Sequence, residues 1–191
     1  MIHTANASAL GYGAFALTLW LNSMTPAAWF APSDAGGLLP LLTSALGGCV
    51  LAIAGILQWQ RGHVLDTLLF VAFAAYWWVA TLYPNRAPAT AGWLGWYDMV
   101  WALLAFCTWI AACRGGVARM LFTLGLCLSL FTAALAQWAH LDALTILGGY
   151  LGLVTAVVGI YIAAAEAVNE TRGHTVLPLG ESTAIDAPPK P

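Results

Sequence analysis

The chain has 191 residues, 61% of them hydrophobic and 7% charged, whereas soluble domains average roughly half apolar and roughly a quarter charged. Its main solvent is therefore lipid, and no segment is left over for a water-soluble domain. Six basic residues against eight acidic ones, a formal charge of −2 with no basic run, exclude nucleic acid as a ligand.

A membrane span needs roughly 20 apolar residues, and the chain divides into six such stretches with short connections, which predicts an all-α integral membrane fold. The first, about 8–24, is preceded by no Lys or Arg and followed by no cleavage site, so it reads as a retained span rather than a signal peptide. Pro26, Pro32, Ser33, Asp34, Gly36 and Gly37 then form a loop. The second span, 38–59, is stopped by Gln60, Arg61, Gly62 and His63, and the third, 64–83, ends at Pro84, Asn85 and Arg86. The fourth, 92–113, turns through Arg114, Gly115 and Gly116 into the fifth, 117–139. The sixth covers 142–168. Residues 1–168 thus make a six-helix transmembrane domain, and 169–191 a polar tail that is partly ordered at best.

Arg61, Arg114, Arg119, Arg172 and Lys190 fall on the side shared by both termini and only Arg86 on the other, which places both termini in the cytoplasm. Trp29, Trp59, Trp93, Trp96 and Trp138 fall near span ends, where indoles favour the headgroup region. In the sixth span Gly148, Gly152, Gly159 and Ala163 line one face, which must approach a neighbouring helix closely, in the same chain or in another subunit.

Enzyme chemistry finds little footing. His3, His63, His140 and His174 sit at termini or loop edges and form no H-x-x-x-H or H-E-x-x-H pair, so no metal or cofactor is expected. The sole lysine is Lys190 in the tail, and no G-x-S-x-G stretch occurs. Cys49, Cys107, Cys113 and Cys127 form no C-x-x-C pair and read as packing residues.

Transport leaves a different trace, of sparse polar and aromatic residues aligned on inward helix faces. Gly11, Phe15, Thr18 and Asn22 share a face of the first span. Asp66, Phe70, Phe73 and Trp77, with Tyr76 beside them, do so in the third. Lateral packing between helices would produce the same stripes. Asp66 sits in the first turn of the third helix and Asp142 at the start of the sixth, where a negative charge favours the positive dipole end. Glu166 follows the apolar stretch Leu151 to Ala165, broken only by Thr155, and is the candidate for proton coupling. No Arg or Lys lies in mid-span, so a crossing carboxylate would find no buried cation and must stay hydrated, be held by hydrogen-bond donors or cross with a proton. A weak acid and a neutral solute such as urea both fit this pattern.

The segment Glu166-Ala-Val-Asn-Glu170, continuing through Gly173-His-Thr-Val-Leu-Pro-Leu-Gly-Glu181, resembles the C-terminal signature of the acetate uptake transporter family, which includes bacterial succinate-acetate permeases and fungal acetate permeases. Ala54-Gly55-Ile56-Leu57 leading to Gly62 is similar to the family's A-G-x-x-E-x-x-x-G, with Gln58 at the acidic position. Phe70-Val-Ala-Phe73-Ala-Ala-Tyr76-Trp77 is similar to its F-x-x-Y-x-x-F-W. The family's N-P-A-P-L-G-L stands here as Asn6-Ala-Ser-Ala-Leu10-Gly11-Tyr12, without either proline, and His63-Val64 replaces its Asn-Thr.

The resemblance implies a six-helix protomer with a central pore, assembled as a homohexamer in a bacterial inner membrane and carrying acetate, with succinate or lactate as further substrates. It also implies a constriction that transfers onto Phe15 and Phe73, with the third member, a leucine, falling on Leu126, or on Cys127 if the register shifts by one. Asn6, Leu10, Gly11 and Tyr12 would then form a mouth, and Thr18, Phe70 and Tyr76 line the pore. The rivals to be separated by experiment are a hexameric channel for urea or amides and a membrane scaffold that transports nothing.

Overall fold

Six helices account for most of the residues described in a computed structural model of the chain, which are 7–31, 33–82 and 90–180. They are α1 (Ala7–Met24), α2 (Leu38–Gln60), α3 (Val64–Leu82), α4 (Ala91–Ala112), α5 (Val117–Ala139) and α6 (Asp142–Arg172). Asn6, assigned to the mouth, and Arg86 and Lys190, used for orientation, lie outside the described residues, as do His3, Pro32, Pro84 and Asn85.

Local chemistry sets most of the boundaries. Gly62, with φ +76°, turns the chain between α2 and α3, a conformation that costs glycine nothing. The Thr90 hydroxyl accepts from the Trp93 amide at 3.3 Å and caps α4. At the other end of α6, Gly173 takes φ +70° and its amide donates to the Asn169 carbonyl at 2.9 Å, the left-handed stop typical of helix C-termini.

Helices adjacent in sequence are adjacent in space, and α6 packs along α1, so the six form a closed ring whose loosest seam is between α3 and α4. Five of them, α2 to α6, are long and apolar enough to cross a membrane. α1 carries no charged residue but several small polar ones, and more than half of its residues are buried. It contacts α2, α3 and α6, so its polar groups are sheltered by protein where lipid would penalise them. The stretch Thr43–Val50 of α2 is wound as a π-helix, and here Gly47 and Gly48 leave room for the indoles of Trp77 and Trp78, which a Cβ at either position would overlap.

The small-residue face of α6 finds its neighbours within the same chain. A Cβ at Gly148 would lie against Ser129 and Ala133 of α5, one at Gly152 against Ser23 of α1, and one at Gly159 against Phe122 of α5 and Ala16 of α1. α6 is therefore wedged between α1 and α5, and the glycines set how close those backbones come.

The segment after α6 is folded as far as residue 180, the last one described. The helix runs on to Arg172, and residues 173–180 fold back as a strap. The Asn169 side chain holds it, donating to the Leu177 carbonyl at 2.9 Å and accepting from the amides of Val176 and Leu177 at 2.7 and 2.9 Å. Tyr161 donates to the Pro178 carbonyl at 2.7 Å. The strap ends on the start of α5, where Val117 and Ala118 donate their amides to the carbonyls of Gly180 and Leu179 at 3.3 and 3.1 Å. Gly116, the residue before α5, offers no side-chain cap, so these carbonyls satisfy amides that a helix start leaves without partners. Asn169→Ala removes three bonds at once. It is expected to cost about 1–3 kcal/mol and to open the 173–180 segment to a protease added to the detergent-solubilised protein.

Candidate functional site

Alternate helices supply the axis of the ring: α1, α3 and α5 each send aromatic or aliphatic side chains inward. Phe15 lies at its centre, with ring centroids 5.2 Å from Phe73, 5.2 Å from Phe122 and 6.4 Å from Trp77. One turn earlier on α1, Tyr12 meets Phe70 at 5.1 Å and Phe122 at 5.3 Å, both edge to face. Tyr12, Phe15, Phe70, Phe73 and Phe122 are fully buried, so among the described residues they close the axis with rings in the arrangement their quadrupoles favour. Leu126, one turn beyond Phe122 on α5, is buried beside them.

Above this stack, toward the end where α1 and α5 finish, lies a cavity of about 300 Å³. Phe73, Trp77 and Leu126 line it together with polar groups of Asn22, Ser23 and Ser129. Asn22 donates to the Thr18 carbonyl and to the Thr43 hydroxyl of α2 at 2.9 and 2.8 Å. Tyr76 also lines the cavity and packs on Phe73, Trp77, Tyr97 and Trp101.

Below the stack, where α1, α3 and α5 begin and α2 and α6 end, the axis becomes polar. Arg119 donates to the Glu166 carboxylate at 2.6 Å, and Ser8 donates to the same carboxylate oxygen at 2.9 Å. The Tyr12 hydroxyl donates to Asp66 at 3.0 Å, and Gln58 approaches the other Asp66 oxygen at 3.4 Å. Asp66 and Glu166 are buried, and the Arg119 side chain is 23% exposed. Five helices thus contribute to two neighbouring hydrogen-bonded sets, Ser8, Arg119 and Glu166 in one and Tyr12, Gln58 and Asp66 in the other. Tyr12 belongs to both layers, its ring in the aromatic stack and its hydroxyl in the polar one.

The sequence-derived residues sort unevenly onto this geometry. Phe15, Phe73 and Leu126 come together, while Cys127 faces away from the axis, its thiol 3.6 Å from the Ala102 carbonyl of α4. Phe70 and Tyr12 are in the stack, and Gly11 lets them be, because a Cβ there would overlap the Phe70 ring. Leu10, expected at the mouth, is 47% exposed on the outer face of α1, since it lies about 100° round the helix from Gly11. The hydroxyl of Thr18, expected in the pore lining, is occupied by the Ala14 carbonyl of its own helix at 2.8 Å, and Thr18 does not border the cavity.

Two residues of the site escaped the sequence reading. Phe122 is the fifth ring of the stack, and Arg119 supplies a partly buried cation that the absence of mid-span basic residues had seemed to exclude. Arg119 sits in the first turn of α5, but its side chain turns back into the bundle. The signal was there in the spacing of Arg119, Phe122, Leu126 and Leu130, which places all four on one face of α5.

A family model described as the GPR1/FUN34/yaaH family matches residues 1–181. The chain is 27% identical over 184 residues to the succinate-acetate/proton symporter SatP of Escherichia coli strain K12, covering 93% of this chain and 96% of that one. It is 26% identical over 190 residues to an uncharacterized protein of Methanothermobacter thermautotrophicus, covering 92% of this chain and 91% of the other. Among solved structures it superposes on the bacterial acetate channel SatP with a TM-score of 0.86 and 25% identity, over 93% of this chain and 99% of that chain.

Proposed function

The chain belongs to the GPR1/FUN34/yaaH family, and from that premise and the geometry of its axis we propose that it carries acetate and other small monocarboxylates across a bacterial inner membrane. The characterised relatives are transport proteins, and the chain is a transporter rather than an enzyme. The observation that carries the reading is the closed ring of six helices with a cavity that ends on Phe73 and Leu126. The gate is the narrow apolar passage of Phe15, Phe73, Phe122 and Leu126, which a small solute crosses after shedding most of its water. Both termini are cytoplasmic and six protomers assemble, each with its own pore, as the family resemblance implies.

Radiolabelled acetate uptake into proteoliposomes, with and without an inward proton gradient and with succinate, lactate and urea as competitors, tests this directly. Uptake driven by the gradient and blocked by monocarboxylates supports it. No acetate flux with free passage of urea would favour a channel for neutral solutes, and no flux of either would favour a scaffold.

Glu166 is the residue through which a proton would act. Arg119 of α5 and Ser8 of α1 hold its carboxylate, and Asp66 of α3, held by Tyr12, is the acid of the neighbouring set. A proton on Glu166 would cancel the charge that binds Arg119. Glu166→Gln is accordingly expected to flatten the pH dependence of acetate uptake while leaving uptake itself measurable. Retention of the full wild-type pH profile would sink the assignment.

A further inference from the structure

We propose that Arg119 is the receiving site for the transported anion at the cytoplasmic end of the pore, and that Glu166 occupies it as a tethered carboxylate which the substrate displaces. This rests on the transport reading above and adds to it a second, ionic gate in series with the aromatic one.

The structure holds a carboxylate at Arg119 already. The side chain of Glu166 takes a guanidinium N–H at 2.6 Å and the Ser8 hydroxyl at 2.9 Å on one oxygen, which is the donor set that would hold a free acetate. Charge-assisted bonds of this kind are stronger than neutral ones, and an anion needs such a partner once it has left water. The first turns of α1, α3 and α5 converge on the same place, each with the positive end of its dipole toward it.

The position is as telling as the chemistry. Phe122, in the aromatic gate, is three residues from Arg119 on the same face of α5, and the Tyr12 ring packs on Phe122 while its hydroxyl reaches Asp66. An anion that passes Phe15 therefore meets the Tyr12 hydroxyl and then the guanidinium. It cannot take Arg119 while Glu166 holds it, because Asp66 and Glu166 together already outnumber the one cation. Exchange of one carboxylate for the other keeps the guanidinium compensated throughout, and the released Glu166, which as an anion would be an unpaired buried charge, is neutralised by the proton that crosses with the substrate.

The decisive measurement is the concentration dependence of acetate uptake in proteoliposomes for wild type, Glu166→Gln, Arg119→Lys, and the neutral double variant Arg119→Gln with Glu166→Gln. The double variant leaves no charge of the pair uncompensated, so it tests the site even if Arg119→Gln alone does not assemble. Glu166→Gln, which removes the competitor, is expected to lower the KM for acetate several-fold. The double variant is expected to raise it about tenfold or more, and Arg119→Lys to fall between it and wild type. Urea flux, if any, is expected to be the same in all four. Acetate transport by the double variant at the wild-type KM, or an unchanged KM in Glu166→Gln, would overturn the assignment of Arg119 while leaving the transport reading intact. Absence of acetate flux from wild type would instead defeat the transport reading and, with it, this inference.

Discussion

Phe73→Ala is expected to raise acetate flux about tenfold or more, equivalent to some 1.4 kcal/mol off the barrier, and to admit larger carboxylates that wild type excludes. Phe73 is both the boundary of the cavity and one face of the seal over Phe15, packed 5.2 Å from it and 5.5 Å from Trp101. Removing its ring extends the cavity of about 300 Å³ toward Phe15 and shortens the stretch over which a carboxylate must travel without water. Truncating a buried aromatic costs about 3–5 kcal/mol where the void stays empty. Here the void joins an existing cavity lined by polar groups, so the cost falls toward the lower end and the variant is expected to assemble. Uptake assays with acetate, propionate and butyrate in parallel read both effects. Wild-type flux together with wild-type size discrimination would mean that Phe73 is packing and no gate.

Gly149→Ala is expected to destabilise the protein far more than Gly148→Ala, although the two are neighbours on the same helix. A Cβ at Gly149 would overlap the backbone of Pro26 and Ala27, in the turn that follows α1. At Gly148 it would meet ordinary contacts, the nearest the Ser129 carbonyl at 3.5 Å. Backbone cannot rotate aside as a side chain can, so the first substitution must displace a turn or tilt α6. Overpacking typically costs about 1–3 kcal/mol, and occasionally more. We expect the upper end at Gly149 and near zero at Gly148, read as thermal melting of the purified protein followed by size-exclusion fluorescence. Equal melting temperatures for the two variants would contradict the close approach of α6 to the turn.

Span ends were legible where an apolar stretch is closed by residues that cannot continue it, as at Arg61-Gly62 after α2 and Arg114 to Gly116 after α4, whereas α6 runs past the expected end at 168 to Arg172, because the polar residues there are compatible with helix and only Gly173 stops it. The inward face of α1 was legible too, since Gly11 and Phe15 are one helical turn apart and both point to the axis. Periodicity was silent on direction at helix ends. Arg119 stands two residues into α5, where a basic side chain ordinarily reaches for water, and only the presence of Glu166 across the bundle turns it inward. Leu10 failed for the opposite reason. It was placed by its membership of a motif, and adjacent motif positions on a helix diverge by about 100°. The π-wound stretch of α2 left no compositional mark beyond two glycines, because the feature that makes use of them, the indole pair on α3, is distant in sequence.

The strap that completes α5 is the last described part of the chain to leave the ribosome. The amides of Val117 and Ala118 wait for the carbonyls of Gly180 and Leu179 until about sixty further residues have been synthesised, since chains emerge N-terminus first. Insertion of the six helices and completion of the end of the bundle that carries Arg119 are therefore separate events in the protein's biogenesis. A chain that stalls or is clipped before the strap can seat all of its helices in the bilayer and still present an unfinished helix start beside Arg119.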